Sequence, residues 1–254
     1  MIEKVKTIFW FLKNPRYIQQ IIQVLKRNKN SQQEETRAES TNWCKKNCIS
    51  QEEALKKLTG KSTFKNINRL YPDEIKLAKN TASNCPIKMG GEGAISFLYH
   101  LVKEKKFKNI IETGVAYGWS SLAILLAIKD IENALLISND MPYIKANNED
   151  YVGCVIPENI KSKWQLQRLP DVKGIPLALN FFNHNIDLCH YDSDKSYTGR
   201  KWSSPILWSS LKNGGLFVSD DINDNIAFKQ FCEDVNRIPI IIEHLGKYVG
   251  IIKK

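Results

Sequence analysis

The chain has 254 residues, 43% apolar and 25% charged, which is ordinary for a soluble globular protein and suits one α/β domain with an extension. No run approaches the roughly 20 apolar residues of a bilayer span, and the apolar run at 8–12 is too short for a signal-peptide core. The net charge of +10 is lopsided: residues 1–80 hold 17 Lys and Arg against 8 acids, whereas residues 81–254 hold 20 against 19, so nucleic acid is not expected as the substrate.

The front of the chain predicts two amphipathic helices within residues 1–27. Ile2, Val5, Ile8, Phe9 and Leu12 recur at helical spacing. Asn14 can then cap a second helix, with Pro15 at its first position and Tyr17, Ile18, Ile21, Ile22 and Leu25 on its apolar face. Lysines and arginines surround these stripes against a single acid, Glu3, and Trp10 and Phe11 are expected to be exposed. Such a pair can lie on an anionic membrane surface, pack on the domain, or join a second copy as a homodimer. Residues 28–42 read as a polar linker. Residues 43–85 read as a helical cap, with a capping box at Ser50 and Glu53 and a stop at Gly60. The six scattered cysteines suit reduced thiols, so the cytoplasm is the expected compartment, with attachment at the inner membrane face left open.

The main domain is expected to run over residues 86–254. A flexible turn at Gly90–Gly93 precedes a helix near 94–105. The stretch Asn109 to Ser121, N-I-I-E-T-G-V-A-Y-G-W-S-S, then reads strand, glycine turn, helix. Gly114 and Gly118 permit close approach of backbone to a ligand, and in a doubly wound sheet this turn lies where nucleotides bind. Glu112 would repel a pyrophosphate and suits a cationic ligand. Further strands are predicted at 133–137, 165–169, 186–192 and 216–219, the last preceded by a helix that Asn213-Gly214-Gly215 ends. The chain closes with a hairpin over 239–252. Asp140 follows the strand at 133–137, where a carboxylate can accept ribose hydroxyls, and Asp171 is a weaker candidate for an adenine edge. Asp192 follows the strand at 186–192 and Asp220-Asp221 the next, so the three acids can converge. Their mutual repulsion calls for a divalent cation, and oxygen donors favour Mg2+ or Ca2+. His190, inside a strand, reads as a buried structural histidine, with the base of a metal-free enzyme as its alternative role.

The E-x-G-x-x-x-G-W-S stretch resembles motif I of the class I S-adenosylmethionine-dependent methyltransferases. The resemblance implies a Rossmann-like doubly wound seven-stranded sheet, mostly parallel, with a C-terminal antiparallel hairpin behind the helical N-terminal extension. It implies S-adenosylmethionine as cofactor, contacted by Glu112, Gly114, Tyr117, Gly118, Ser120, Asp140 and Asp192. The segment D-S-D-K-S-Y is similar to one in the catechol and caffeoyl-coenzyme A O-methyltransferases. That match makes Asp192 a metal ligand and Lys195 the base acting on the acceptor hydroxyl, with Asp220 and Asp221 completing the metal site. That family usually carries Asp-Asn where this chain has Asp220-Asp221. The longer pattern from H-Y-D-S-D-K-S-Y to S-D-D-I-N-D-N-I-A-F-K-Q-F is also similar to a broad bacterial methyltransferase family, in which a histidine commonly stands at the place of Lys195. The expectation is therefore metal-assisted O-methylation of a small-molecule or glycan hydroxyl. A metal-free methyltransferase and a non-catalytic binding subunit of the same fold are the alternatives.

Overall fold

The computed structural model describes residues 2–20, 32–141 and 148–254. Its sheet is built from β1 (Cys48–Ile49), β2 (Asn109–Thr113), β3 (Leu135–Asn139), β4 (Trp164–Gln167), β5 (Ile186–Tyr191), β6 (Leu211–Ser219), β7 (Ile240–His244) and β8 (Lys247–Lys253). The strand order is β1-β7-β8-β6-β5-β2-β3-β4. β8 runs antiparallel to both β6 and β7, and every other pairing is parallel. The sheet reverses its direction of growth between β2 and β5, the switch point at which such sheets bind ligands. The expected seven-stranded sheet gains an eighth, short strand, because Cys48 and Ile49 pair with Ile241 and Ile242 at the hairpin's outer edge.

The core has two layers because alternate strand residues face opposite sides of the sheet. Ile110, Leu136, Leu188 and Val218 pack under the helices Gln51–Thr59, Ile95–Lys105 and Trp119–Ile128. Ile111, Ile137, Cys189 and Phe217 pack under Asp171–Phe181, Tyr197–Ser210 and Ala227–Asp234. Burial on both faces is what makes these strands near-continuous apolar runs. Half of the predicted capping box forms: Ser50 Oγ accepts from the Glu53 N–H at 3.1 Å, while the Glu53 carboxylate pairs with Lys57 at 2.8 Å, and Gly60 ends that helix in the left-handed conformation at φ 76°.

Three expectations about the chain's organisation change. The linker placed at 28–42 is helical from residue 32 onward, in the helix Gln32–Asn47. It lacks an apolar stripe because small residues make its contacts: Ser40 is fully buried, its Oγ shared between the carbonyls of Ile222 and Asn225 at 3.0 and 3.1 Å, and Cys44 is buried beside it. The helix expected to end at Asn213–Gly215 stops earlier at Ser210, and β6 already runs through both glycines. At the front, the helix Ile2–Lys13 is present, and Pro15–Gln20 forms a 3-10 turn; the apolar positions expected at 21, 22 and 25 lie outside the described residues. Phe11 is buried rather than exposed. Its ring meets Trp10 edge-on, and Trp10 stacks on Tyr17 at 5.5 Å, so these three aromatics cluster together while Ile8, Phe9, Leu12 and Ile18 are exposed.

Candidate active site

The site is assembled where β2, β5 and β6 end side by side. The Asp192 N–H donates to the Thr113 carbonyl at 2.8 Å, and the Asp220 N–H to the Tyr191 carbonyl at 3.0 Å. Each acid therefore follows its strand by one residue and is held by its neighbour. Arg200, on the helix after β5, is buried; its guanidinium donates to Ser219 Oγ and to the carbonyls of Asp220 and Asp221. That clamp fixes Asp221 in a left-handed conformation at φ 49°, which turns the chain sharply after β6.

The three acids converge as expected: Asp192, Asp220 and Asp221 each offer an oxygen within 4.8 Å of the others. The expectation that they are uncompensated is corrected. Lys195 Nζ lies 2.7 Å from Asp192 Oδ1 and bridges to Asp221 Oδ2. Lys247, on the hairpin, adds a second ammonium 3.2 Å from Asp221 Oδ1. Burial disfavours the ionised form of Asp221, but Lys195 and then Lys247 outweigh it and hold this carboxyl below its usual range. Asp220 is pushed the other way, to about 6, by burial and by the negative charges of Asp192 and Asp221. No hydrogen bond from the described residues reaches its carboxylate. Lys195 is also corrected. The expectation of a base required a lowered pKa; burial does act in that direction, but Asp192 and Asp221 outweigh it and raise the value. Lys195 is an ammonium donor in this arrangement.

Above the acids opens a cavity enclosing about 1080 Å³ between atoms, its mouth included. Asp192, Lys195, Asp220 and His190 lie along its floor, with Val115, Ala116, Trp119 and Ser120 of the glycine turn on one wall. The loop Gly90–Ala94 and the hairpin residues His244, Leu245 and Lys247 form its rim. Of the expected cofactor contacts, Ser120 and Asp192 line this space. Gly114 and Gly118 do not line it; Gly118 packs against Gly153 and Ile156. Gly114 sits at φ 80°, and a Cβ there would come within 2.5 Å of the Asp192 carbonyl oxygen, so the turn and the acid loop pack backbone to backbone.

Three other expected contacts face elsewhere. Glu112 is fully buried between β3 and β5. Its Oε2 accepts from Ser121 Oγ and, at 2.7 Å, from Ser138 Oγ, while Oε1 lies 3.5 Å from His190 Nδ1. Burial opposes its charge, but His190 and the serines prevail and lower its pKa. The acid therefore meets the cavity through His190, its partner in the parallel register, and through Ser120. For His190 burial likewise opposes the charge, and Glu112 outweighs it, so the imidazole pKa is raised. Tyr117 points away too, its hydroxyl donating to the Ile87 carbonyl at 2.9 Å and pinning the segment before Gly90. Asp140 does not line the cavity. Its Oδ2 accepts from the N–H groups of Val115 and Ala116 at 2.7 and 3.0 Å, and Arg168 holds Oδ1 at 2.9 Å, so this carboxylate braces the glycine turn. Asp171 is likewise structural, accepting from Asn139 and Ser193.

Lys247 and the rim turn carry no local signal in the sequence. They meet the acids only because β8 folds back antiparallel beside β6. Arg200 could have been found, since it closes the same D-S-D-K-S-Y-T-G-R run that contains Lys195.

A family profile described as a methyltransferase domain matches residues 111–222, from β2 to the turn after Asp221. No curated protein matched the sequence. Among solved structures, the chain is similar to an O-methyltransferase from Bacillus cereus in complex with SAH, at 12% identity and TM-score 0.53, covering 74% of this chain and 97% of that one. It is similar to a putative caffeoyl-CoA O-methyltransferase from Staphylococcus aureus, at 14% identity and TM-score 0.55, covering 74% and 96%. The O-methyltransferase TomG from Streptomyces achromogenes, in complex with SAM, shares 11% identity at TM-score 0.54, covering 70% and 90%. The glycine turn at the switch point, the acids at neighbouring strand ends and the matched profile agree: residues 111–222 match a methyltransferase domain, within the fold that these solved O-methyltransferases share.

Proposed function

We propose that this protein methylates a hydroxyl oxygen of a small-molecule or glycan acceptor, assisted by a divalent cation, Mg2+ or Ca2+, held by Asp192, Asp220 and Asp221. The observation that carries the reading is the convergence of these three carboxylates with Lys195 on the floor of the cavity, beside the glycine turn. The donor set fits a hard cation: all its ligand atoms are oxygens, within 4.8 Å of one another, and three carboxylates face two lysines, the outer of which is 59% exposed. The raised pKa of Asp220 is a sign of charge still seeking a partner. A cation bound there would act as a Lewis acid that lowers the pKa of an acceptor hydroxyl.

The chain's own residues supply orientation. Val115, Ala116 and Ser120 present a close backbone wall for the cofactor, and Trp119 an apolar one. Methyl transfer breaks the sulfonium S–C bond and the acceptor O–H bond and forms an O–C bond; the proton passes to solvent water, and the acceptor oxygen has to be held in line with the leaving sulfur. Lys195, as an ammonium between two acids, can donate a hydrogen bond to that oxygen and fix its position. The Gly90–Ala94 loop and the His244–Lys247 rim narrow the mouth and limit the water that would compete for the methyl group.

The two lysines favour a second reading, metal-free transfer, because they already neutralise most of the acid cluster. The test is Mn2+ titration followed by the paramagnetic signal of free ion, on the wild type and Asp220→Asn. Saturable one-to-one binding that the variant weakens at least about tenfold supports the metal site. Absence of binding at millimolar Mn2+, together with methyl transfer that survives excess chelator, selects the metal-free reading.

A further inference from the structure

We propose that a second groove beside the catalytic cavity is the acceptor site, and that it is built for an uncharged sugar ring. The inference rests on the methyltransferase reading of the adjoining cavity. This groove encloses about 1190 Å³ between the start of the helix Gln51–Thr59, the segment 64–68 and the β7–β8 turn. It shares the stretch Glu92–Ile95 and the turn residues His244 and Leu245 with the catalytic cavity. The two spaces therefore adjoin along these shared residues, and the proposal places the acceptor's reacting group toward Asp192 and Lys195 past that stretch.

The chemistry of the lining selects the ligand. The charged side chains of the groove are all acids, Glu52, Glu92 and Glu243, and no lysine or arginine lines it among the described residues. On a chain of net charge +10, a groove with only acidic charges is a local departure that repels phosphate and carboxylate. Glu92 is paired with Lys79 at 3.3 Å, so a nucleotide or phosphorylated acceptor would face Glu52 and Glu243 with no cation among the described lining residues to receive it. The remaining polar groups are amides and hydroxyls. Ser50, Ser96 and the Asn66 carbonyl oxygen are spent on capping the local backbone. Asn68 and Glu52 make no side-chain hydrogen bond or ion pair within the described residues, so both a donor–acceptor amide and a carboxylate remain for a ligand. Adjacent hydroxyls on a sugar ring pair well with such groups, each hydroxyl donating to one and accepting from the other.

Phe64 supplies the apolar complement. It is half-buried in the groove wall, with its ring 5.4 Å from that of His100. The negative face of an aromatic ring suits the slightly positive C–H face of a pyranose. The Gln51 side chain, 3.4 Å from His244 Nδ1, ties the cap to the hairpin turn, so cap, groove and cavity rim are one connected surface.

Saturation-transfer NMR on the full chain with SAH tests this. The probes are the methyl glycosides of glucose, galactose, rhamnose and N-acetylglucosamine, with glucose 6-phosphate as the anionic comparison. The proposal expects transfer to at least one neutral glycoside, and glucose 6-phosphate no stronger than its neutral parent. Asn68→Ala and Glu52→Lys should each weaken glycoside binding by about fivefold, the scale of one hydrogen bond, and leave SAH affinity unchanged. Three results overturn it: no neutral glycoside binds while SAH does, the phosphate binds better, or both variants bind glycoside as the wild type does. Failure of SAH to bind would strike the methyltransferase reading instead, and a glycoside signal lost in Asn68→Ala would still uphold the groove.

Discussion

Replacing Asp220 by asparagine should make the protein more stable at neutral pH, although it removes a residue of the proposed site. Asp220 has its pKa raised from 3.8 to about 6 by burial and by two neighbouring carboxylates. The folded chain therefore holds this proton more tightly than the unfolded chain does. As pH rises from about 4 to about 6 the wild type loses the corresponding stability, and above that window the full cost of the ionised group is present. Two pH units correspond to roughly 3 kcal/mol, an upper value that lost solvation and water contacts will reduce. For a chain of this size that gap is a rise in Tm of about 5–10 °C. Differential scanning calorimetry of both proteins from about pH 4 to pH 8, without divalent ions, measures it. The gain should be largest at the alkaline end and shrink toward zero near pH 4, and millimolar Mg2+ should narrow it by stabilising only the wild type. An Asp220→Asn protein no more stable than wild type at pH 8, or a gap that ignores pH, would refute the reasoning.

Lys195→Ala should lower methyl transfer at least about a hundredfold while S-adenosylmethionine affinity stays within about twofold, because the lysine touches the acids and not the glycine turn. Comparison of single-turnover rates with cofactor titration checks it. Gly114→Ala places a methyl group 2.5 Å from the Asp192 carbonyl oxygen at φ 80°, and should cost several kcal/mol of stability, on the order of other strained, overpacked sites, in urea denaturation. The exposed Phe9 and Leu12, on a strongly basic segment, should carry the full chain onto anionic vesicles at low salt and release it at high salt. In sedimentation, Phe9→Glu with Leu12→Glu should abolish that binding; unchanged pelleting would place the contact elsewhere, and a wild-type dimer that ignores vesicles would make the stripe an interface between copies.

The parts of the fold legible in the sequence are those with an apolar period and a punctuating glycine. Ile110-Ile111 before Gly114, and the run 186–191 before Asp192, read as buried parallel strands, and their neighbouring ends could be inferred from the topology alone. The direction in which an acid points at a strand end was not legible. Glu112 and Asp192 look alike in sequence, yet Glu112 falls on the face that carries Ser121, Ser138 and His190, and Asp192 falls past the last paired residue. The helix Gln32–Asn47 was hidden for a different reason. It docks through Ser40, Cys44, the single large apolar residue Trp43 against Phe228, and the pairs Arg37–Asp224 and Glu39–Lys229, which together produce no apolar stripe. Lys247 was hidden because its partner is 26 residues upstream, on the other side of a hairpin.

The central claim is that the cavity beside Gly114 and Ser120 takes S-adenosylmethionine. Isothermal titration of the full chain with S-adenosylmethionine tests it most directly. One site per chain is expected, competed by S-adenosylhomocysteine and weakened at least about tenfold by Gly114→Ala, which closes the turn onto Asp192. No heat of binding at millimolar ligand, from protein that melts cooperatively, would contradict it.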